Sequence, residues 1–561
     1  IRQVTINLGT TMALSLSAEQ KSVYDIFYNN VQYIIPDYQR SYSWGFDQCN
    51  QLYLDFISAF DEDCDFFIGN IIIARSLDER KKPQVVDGQQ RLITLWLLLK
   101  VLSVLCPGLK IKENFLVNVS VRRNEEDILK IESEVFETSD NEDIKHIYTY
   151  DSKEYYKRLS EVCNSKGEIN ESKCISRFEY VSLMFYQNLC KTEESRLEDF
   201  TSFILDHIFL LPIELTGDNM EVASNKALTI FETINNRGMS LENADIFKAK
   251  LYYRSTLNRE EGIFKKQWAE FRLSTEDLGI KVDDVFRYYS HIIRGRENIV
   301  TSEKNLRDFF LLDSASPIFK NNYQETMSDL LRITEILQLL QKLESSDSVI
   351  GPWLQILDAY TNSYPRYAVV NYLFVNRAFT NEDFLIFLKK VIRYAYSLGA
   401  TTNVKFEVYK IIGKTYMQLP IDEYFIWEPI ENFNQYRMLR KGYSLLYYYL
   451  SGGSFMPRFW YDKLMANSDR VMLQALGWTD EQIDDGLKSI ANTIVVDIPI
   501  KRKPLVEKFG YYQESGLKHP SSVFYESVCR FGDFESYRNH YNKVLNSFFF
   551  EADEKDKIEK L

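Results

Sequence analysis

Histidine, paired cysteines, positive charge and long apolar runs are all in short supply, and each shortage excludes something. Only five histidines occur in 561 residues, so a histidine-built base or metal centre has few sources, and a lone histidine is usually structural or solvated. The seven cysteines (Cys49, Cys64, Cys106, Cys163, Cys174, Cys190 and Cys529) form no Cys-x-x-Cys pair and are odd in number. That pattern fits reduced thiols in a cytoplasm and argues against a disulfide framework or a zinc site. The longest apolar stretch, Leu92 to Leu105, is broken by Thr94, Lys100 and Ser103 and falls short of the roughly 20 residues a membrane span needs. The start shows no basic segment leading into an apolar core, so no signal peptide is expected, and residues 1–11 ahead of Met12 receive no function. The net charge of −13 and pI near 5.2 argue against a general nucleic-acid coat but leave room for a local basic groove. No Gly-x-x-x-x-Gly-Lys-Ser/Thr sequence is present, which removes P-loop nucleotide hydrolysis.

What is present is enough to bury large cores: 45% of residues are apolar and 14% aromatic. The length points to three or four domains. From Val31 to Leu105 short strands alternate with helices: "VQYIIP", stopped by Pro36, then the helix "GFDQCNQLYLDFISAF", the buried strand "DFFIGNIIIARS", and "KPQVVDG" before an apolar helix. Polar, acidic sequence between Arg123 and Lys173 reads as a helical insertion with long loops, spanning about 111–206. "HIFLLPIELTG" returns to strand character, and two helices joined at Asn236 to Gly238 follow, the second N-capped by Ser240. Residues 256–440 read as a helical body without a fixed repeat, and 441–561 as a small mixed C-terminal domain. The expected class is therefore α+β, with an N-terminal α/β domain over 12–255.

The stretch Asp87-Gly88-Gln89-Gln90-Arg91 sits where a short strand turns into a helix whose Leu92, Leu95, Trp96, Leu99 and Leu102 mark one buried face. Free backbone N–H groups and the positive end of the dipole make such a turn an anion site, and an arginine there can grip a phosphate through two parallel bonds. The plainer alternative is a turn capped by Asp87, with Arg91 paired to a neighbouring carboxylate.

Three stretches, "IIPDYQRSYSW" (Ile34–Trp44), "FFIGNIII" followed by "VVDGQQRLITL", and "IFETINNRGMSLENADIFKAKL", resemble in order and spacing the N-terminal domain of GmrSD-type modification-dependent restriction systems. The resemblance covers about the first 255 residues. It implies a ParB/sulfiredoxin-like fold, binding of a nucleoside triphosphate, and a role in restricting modified phage DNA. On that basis Gln39 and Arg40, on the loop after Pro36, and Gly88, Gln89, Gln90 and Arg91 are the candidate nucleotide contacts, with Asn235 and Arg237 completing the pocket. Asp87 cannot face phosphate bare, so it is expected to hold Mg2+ or to accept a bond from a hydroxyl or an arginine. Asp87 and Arg91 are the candidate catalytic residues. Tyr42 and Trp44 are expected to pack in the core, and Asp245 with Lys248 to form a surface ion pair of little energetic consequence.

Many relatives carry a C-terminal HNH-type nuclease domain whose histidine deprotonates water beside a metal-bound phosphate. "SIANTIVVDIP" resembles one of its stretches, but the expected partner, "FWYDKLMANS", has no histidine. The resemblance thus implies a degenerate domain without nuclease activity. Asn492 alone matches a family functional position, and His519 and His540 lie downstream of the expected place. "IPIKRKPLVEK" adds local positive charge that could touch a phosphate backbone or simply be a solvated loop.

The leading expectation is a cytoplasmic, nucleotide-binding and nucleotide-hydrolysing component of an antiphage restriction system. DNA would be reached directly or through a partner chain, with any cutting left to a partner nuclease. The alternative is a non-catalytic switch or scaffold for a protein or DNA partner.

Overall fold

Strand-forming runs of branched residues in the first 217 positions pair into one mixed seven-stranded sheet. The strands are β1 (Leu16–Ala18), β2 (Lys21–Ser22), β3 (Tyr33–Ile35), β4 (Phe66–Ser76), β5 (Gln84–Asp87), β6 (Ile131–Ser133) and β7 (Ile208–Gly217). Their order is β1-β7-β4-β5-β3-β6, with β2 also on β7. The long central strands β4 and β7 run parallel from Phe66↔Ile208 to Ser76↔Gly217, with a bulge between Phe67 and Gly69. β5 lies antiparallel on β4, while β3 is parallel to β5 and β6. The α+β class follows, and the computed structural model describes residues 16–78, 80–118, 127–135, 139–220, 222–224, 226–227, 230, 243–312, 323–397, 404–421, 430–497, 507–508 and 530–550. The chain divides into two compact units, Ile1–Leu257 and Asn258–Leu561.

In the first unit the helix Gln89–Leu105 is buried on almost every side from Leu92 to Leu102, where the sequence predicts one apolar stripe. The reason is the insertion. Its helices Arg177–Leu189 and Glu194–Asp206 pack over the helix's far face, and Phe178, Val181, Phe185, Phe200 and Ile204 join the same core as Leu95 and Trp96. The insertion also supplies β6, so it contributes an edge strand as well as helices. Lys100, 2% exposed, donates to Tyr150 O at 2.6 Å. Burial, helped by nearby Lys112, lowers its pKa to about 8.

The second unit is built mainly from helices, among them Glu261–Asp277, Val282–Arg296, Tyr323–Glu344, Tyr364–Val375, Asn381–Tyr396, Val404–Tyr416 and Arg440–Leu450. A hairpin-like pair, β8 (Trp460–Lys463) antiparallel to β9 (Thr493–Val496), joins "FWYDKLMANS" to "SIANTIVVDIP" with Lys463 opposite Thr493. Among the described residues no helix is long and apolar enough to cross a membrane.

Candidate functional site

Gly88 opens the long apolar helix with φ +87°, a left-handed conformation cheap only for glycine. A Cβ there would lie 2.4 Å from Ile71 Cγ2. This turn delivers Asp87, at the end of β5, and Arg91, in the first helical turn, to one place. Arg91 Nη1 donates to Asn70 O at 2.6 Å, and its Nη2 lies 3.7 Å from Asp87 Oδ2. Asn70 presents its carbonyl because β4 bulges beside it. Gly69, at φ +133°, leaves the space that the guanidinium fills, and a Cβ on Gly69 would sit 2.5 Å from Arg91 Nη1. Asp87 is an acceptor under tension: burial raises its pKa, against the opposing pull of Arg91, the Gly88 N–H and Arg40. Arg91 in the helical turn and Arg40 on its loop thus both favour the charged form of this carboxylate.

Arg40 reaches that place from the loop after β3, with Nε 3.9 Å from Asp245 Oδ2. Gln39 donates through Nε2 to Val86 O at 2.9 Å and accepts from Lys248 Nζ at 3.2 Å through its main-chain oxygen. Lys248 is only 3% exposed, so it is not the surface residue expected of it. Asp245 faces Arg40 while Lys248 secures the loop. The helix Asn243–Leu257 can do both because positions three apart share one of its faces.

The two glutamines of the motif work mostly on main chain. Gln90 Oε1 accepts from Ser43 N at 2.8 Å and Trp44 N at 3.2 Å, and its Nε2 donates to Ser41 O. Gln89 Nε2 donates to Arg40 O at 2.9 Å, while its buried Oε1 has no hydrogen-bond partner among the described residues. On the other side of the loop, Asp140 accepts from Ser41 Oγ at 2.7 Å and Tyr42 N at 3.1 Å. Tyr42 is buried, bonding Thr94 Oγ1 at 2.7 Å, and Trp44 packs against the core. The loop carrying Arg40 is thus clasped from two sides.

Gln39, Arg40, Asp87, Gly88, Gln89, Gln90 and Arg91 are brought together; Asn235 and Arg237 lie outside the described residues. Gly69, Asn70, Asp140 and Asp245 are the participants that motif reading did not assign. A glycine inside the strand pattern "FFIGNIII" was the available signal, since it marks close approach of another group. For a divalent cation the site offers the Asp87 carboxylate, with Asp245 beside Arg40, and among the described residues no cluster of three or more metal-binding side chains occurs.

In the second unit, Asn492 is 1% exposed and spends its amide on main chain, accepting from Met465 N at 2.7 Å and donating to Met465 O and Leu487 O. Lys508 Nζ donates to Lys463 O at 2.7 Å and lies 3.6 Å from Asp462 Oδ1. His540 lies on the final helix against Tyr447, and His519 falls outside the described residues. A different histidine, His291, is fully buried, stacks on Tyr367 with centroids 3.9 Å apart, and among the described residues has no hydrogen bond at either ring nitrogen. Its nearest carboxylate, Glu303, is 3.8 Å away and already accepts from Tyr364 and Lys405. Burial lowers the His291 pKa to about 3.

Residues 23–252 match the family described as GmrSD restriction endonuclease, N-terminal domain. That range contains every residue of the arginine site. A comparison with curated proteins finds no match.

Proposed function

From the premise that residues 23–252 are a GmrSD-type N-terminal domain and the chain a restriction-system component, we propose that the Arg40–Asp87–Arg91 site binds the phosphates of a nucleoside triphosphate. The observation that carries this reading is the placement of Arg91, bonded to Asn70 O beside Asp87, next to the Arg40 main chain that Gln89 holds. A purely structural role would be met by one arginine and one acceptor. Here Arg91 is held by Asn70 O, so its position is fixed before any ligand arrives, and a pre-positioned guanidinium loses little freedom on gripping phosphate. Lys248 and the clasped loop keep Arg40 in reach. Mg2+ bound through Asp87 and the phosphates would offset the repulsion between that carboxylate and the ligand.

Hydrolysis extends this reading. Water would attack the terminal phosphorus and the bond to the bridging oxygen would break, releasing diphosphate nucleotide and inorganic phosphate. Arg91 and Arg40 would stabilise the charge developing on the phosphoryl oxygens. DNA carrying a modified base or backbone is the partner proposed for the assembled system, with cutting supplied by a partner nuclease. Nucleotide binding measured on purified protein with Mg2+, followed by phosphate release, tests both steps: saturable binding lost in Arg91→Ala supports the site, and phosphate release separates an enzyme from a switch.

A further inference from the structure

Three charged side chains of the second unit stand at helix ends that disfavour them. Glu344 closes the helix Tyr323–Glu344 and Asp358 closes Gly351–Asp358, each at the negative end of a helix dipole. Arg366 lies in the first turn of Tyr364–Val375, at a positive end. What compensates each charge is the other two. Arg366 Nη1 is bonded to Asp358, and the same nitrogen lies 4.0 Å from Glu344 Oε2. Among the described residues no other cation lies within 4 Å of either carboxylate. The two carboxyl groups are themselves within hydrogen-bond reach of each other. Two acids thus meet one arginine where three helices end.

A bond between two carboxyl groups needs a proton, because two carboxylates are acceptors only and repel. Arg366 is bonded to Asp358 and merely near Glu344, so the proton belongs on Glu344, whose O–H donates to the Asp358 carboxylate. Burial and the Asp358 charge push the Glu344 pKa up to about 7, with Arg366 opposing. Tyr288, on the helix Val282–Arg296, faces Arg366 and Asp358, with Asp284 behind it, and Tyr396 feels the Asp358 charge. Burial raises the pKa of both tyrosines, so they stay neutral. The Glu344 side chain is 31% exposed, which gives its proton a path to water without unfolding. We propose that these three helix ends form a proton-operated joint, in which Glu344 and Asp358 share one proton and its loss to solvent releases Glu344. The ionised Glu344 is repelled by Asp358, Arg366 remains with Asp358, and the end of the helix Tyr323–Glu344 parts from the other two. The inference is independent of the nucleotide reading of the arginine site.

The direction of the effect follows from linkage. Glu344 titrates near 7 in the closed joint and near 4.5 when released. The joint is therefore tightest below pH 4.5 and loosens as pH rises towards 7, by at most about tenfold in its opening constant per pH unit. His291 acts with the opposite sign, since it costs stability as pH falls. The test is hydrogen exchange of the full chain, read by mass spectrometry from pH 5.5 to 8 and corrected for the intrinsic pH dependence of exchange. In peptides within 340–368 opening should rise at least about tenfold between pH 5.5 and 7.5 and then level off, while peptides within 89–105 show no such rise. Glu344→Gln, which still donates to Asp358 but cannot ionise, should hold opening constant across the range. Asp358→Asn leaves Glu344 beside Arg366 without a competing charge, so Glu344 is ionised throughout and the rise should vanish there too. No rise in the parent chain would overturn the joint, and so would a rise that persists in Glu344→Gln. If Glu344→Gln does not fold, Asp358→Asn decides, and a rise that persists in it overturns the proposal.

Discussion

Gly69→Ala tests the construction of the site without touching a residue that would meet phosphate. Gly69 has φ +133°, and an added Cβ would fall 2.5 Å from Arg91 Nη1. Two costs follow. A side chain in this backbone region costs about 1–2 kcal/mol. In addition, the guanidinium must leave Asn70 O, forfeiting a charged hydrogen bond worth about 1.5–3 kcal/mol. The sum is about 2.5–5 kcal/mol, felt partly as lost stability and partly as an arginine no longer held in position. Gly167 provides the control, because it sits at φ +80° with nothing near its would-be Cβ, so Gly167→Ala incurs only the backbone cost. Denaturant unfolding followed by tryptophan fluorescence, with nucleotide titration of both variants, separates the two costs. Gly69→Ala should unfold at lower denaturant than Gly167→Ala and bind nucleotide at least about tenfold more weakly. If the two variants match in both measurements, the bulge does not position Arg91.

Arg91→Ala should weaken nucleotide binding by about 2–4 kcal/mol with the fold retained, read by calorimetry and circular dichroism, and Arg40→Ala should act in the same direction. Gln90→Ala removes the acceptor of two half-buried N–H groups, at Ser43 and Trp44, and should destabilise the first unit by about 1–2 kcal/mol; protease cleavage within residues 40–45 would report the released loop. His291 has a folded pKa near 3 against about 6.5 when unfolded, so the unfolded chain takes up the proton first as pH falls. Its penalty is absent well above pH 6.5 and grows as pH falls from 6.5 towards 3, to on the order of a few kcal/mol; His291→Phe should flatten that part of the stability–pH curve, measured by unfolding at a series of pH values. The chain alone should show no HNH-type metal-dependent cleavage of plain or modified DNA with Mg2+ or Mn2+, because losing the general base costs roughly 10²–10⁴-fold; robust cutting lost in His519→Ala would refute this.

The strands and helices of the first 105 residues were legible because their punctuation is local. Pro36 ends β3, Gly88 separates β5 from its helix, and the Phe66–Ser76 run is mostly apolar. The surroundings of the long apolar helix were not legible as one stripe, since the polar-looking insertion returns Phe178, Phe185 and Phe200 to cover its other side. The motif named the right neighbourhood but not each residue's task. Gln90 has the composition of a ligand contact, yet its bonds go to Ser41, Ser43 and Trp44 of a loop more than 40 positions away. Lys248 read as surface because its charge suggested exposure, whereas its ammonium group reaches a main-chain oxygen that only the fold supplies. Gly69 carried a usable signal, a glycine within an apolar strand, whose meaning depends on a side chain 22 residues away.

The central claim is that Arg40, Arg91 and Asp87 form a triphosphate site, and direct titration of nucleoside triphosphates into the purified chain with and without Mg2+ tests it most plainly. The account predicts saturable one-to-one binding that strengthens with Mg2+ and collapses in both Arg40→Ala and Arg91→Ala. Binding that is undetectable at millimolar nucleotide, or that survives unchanged in both variants, would contradict it.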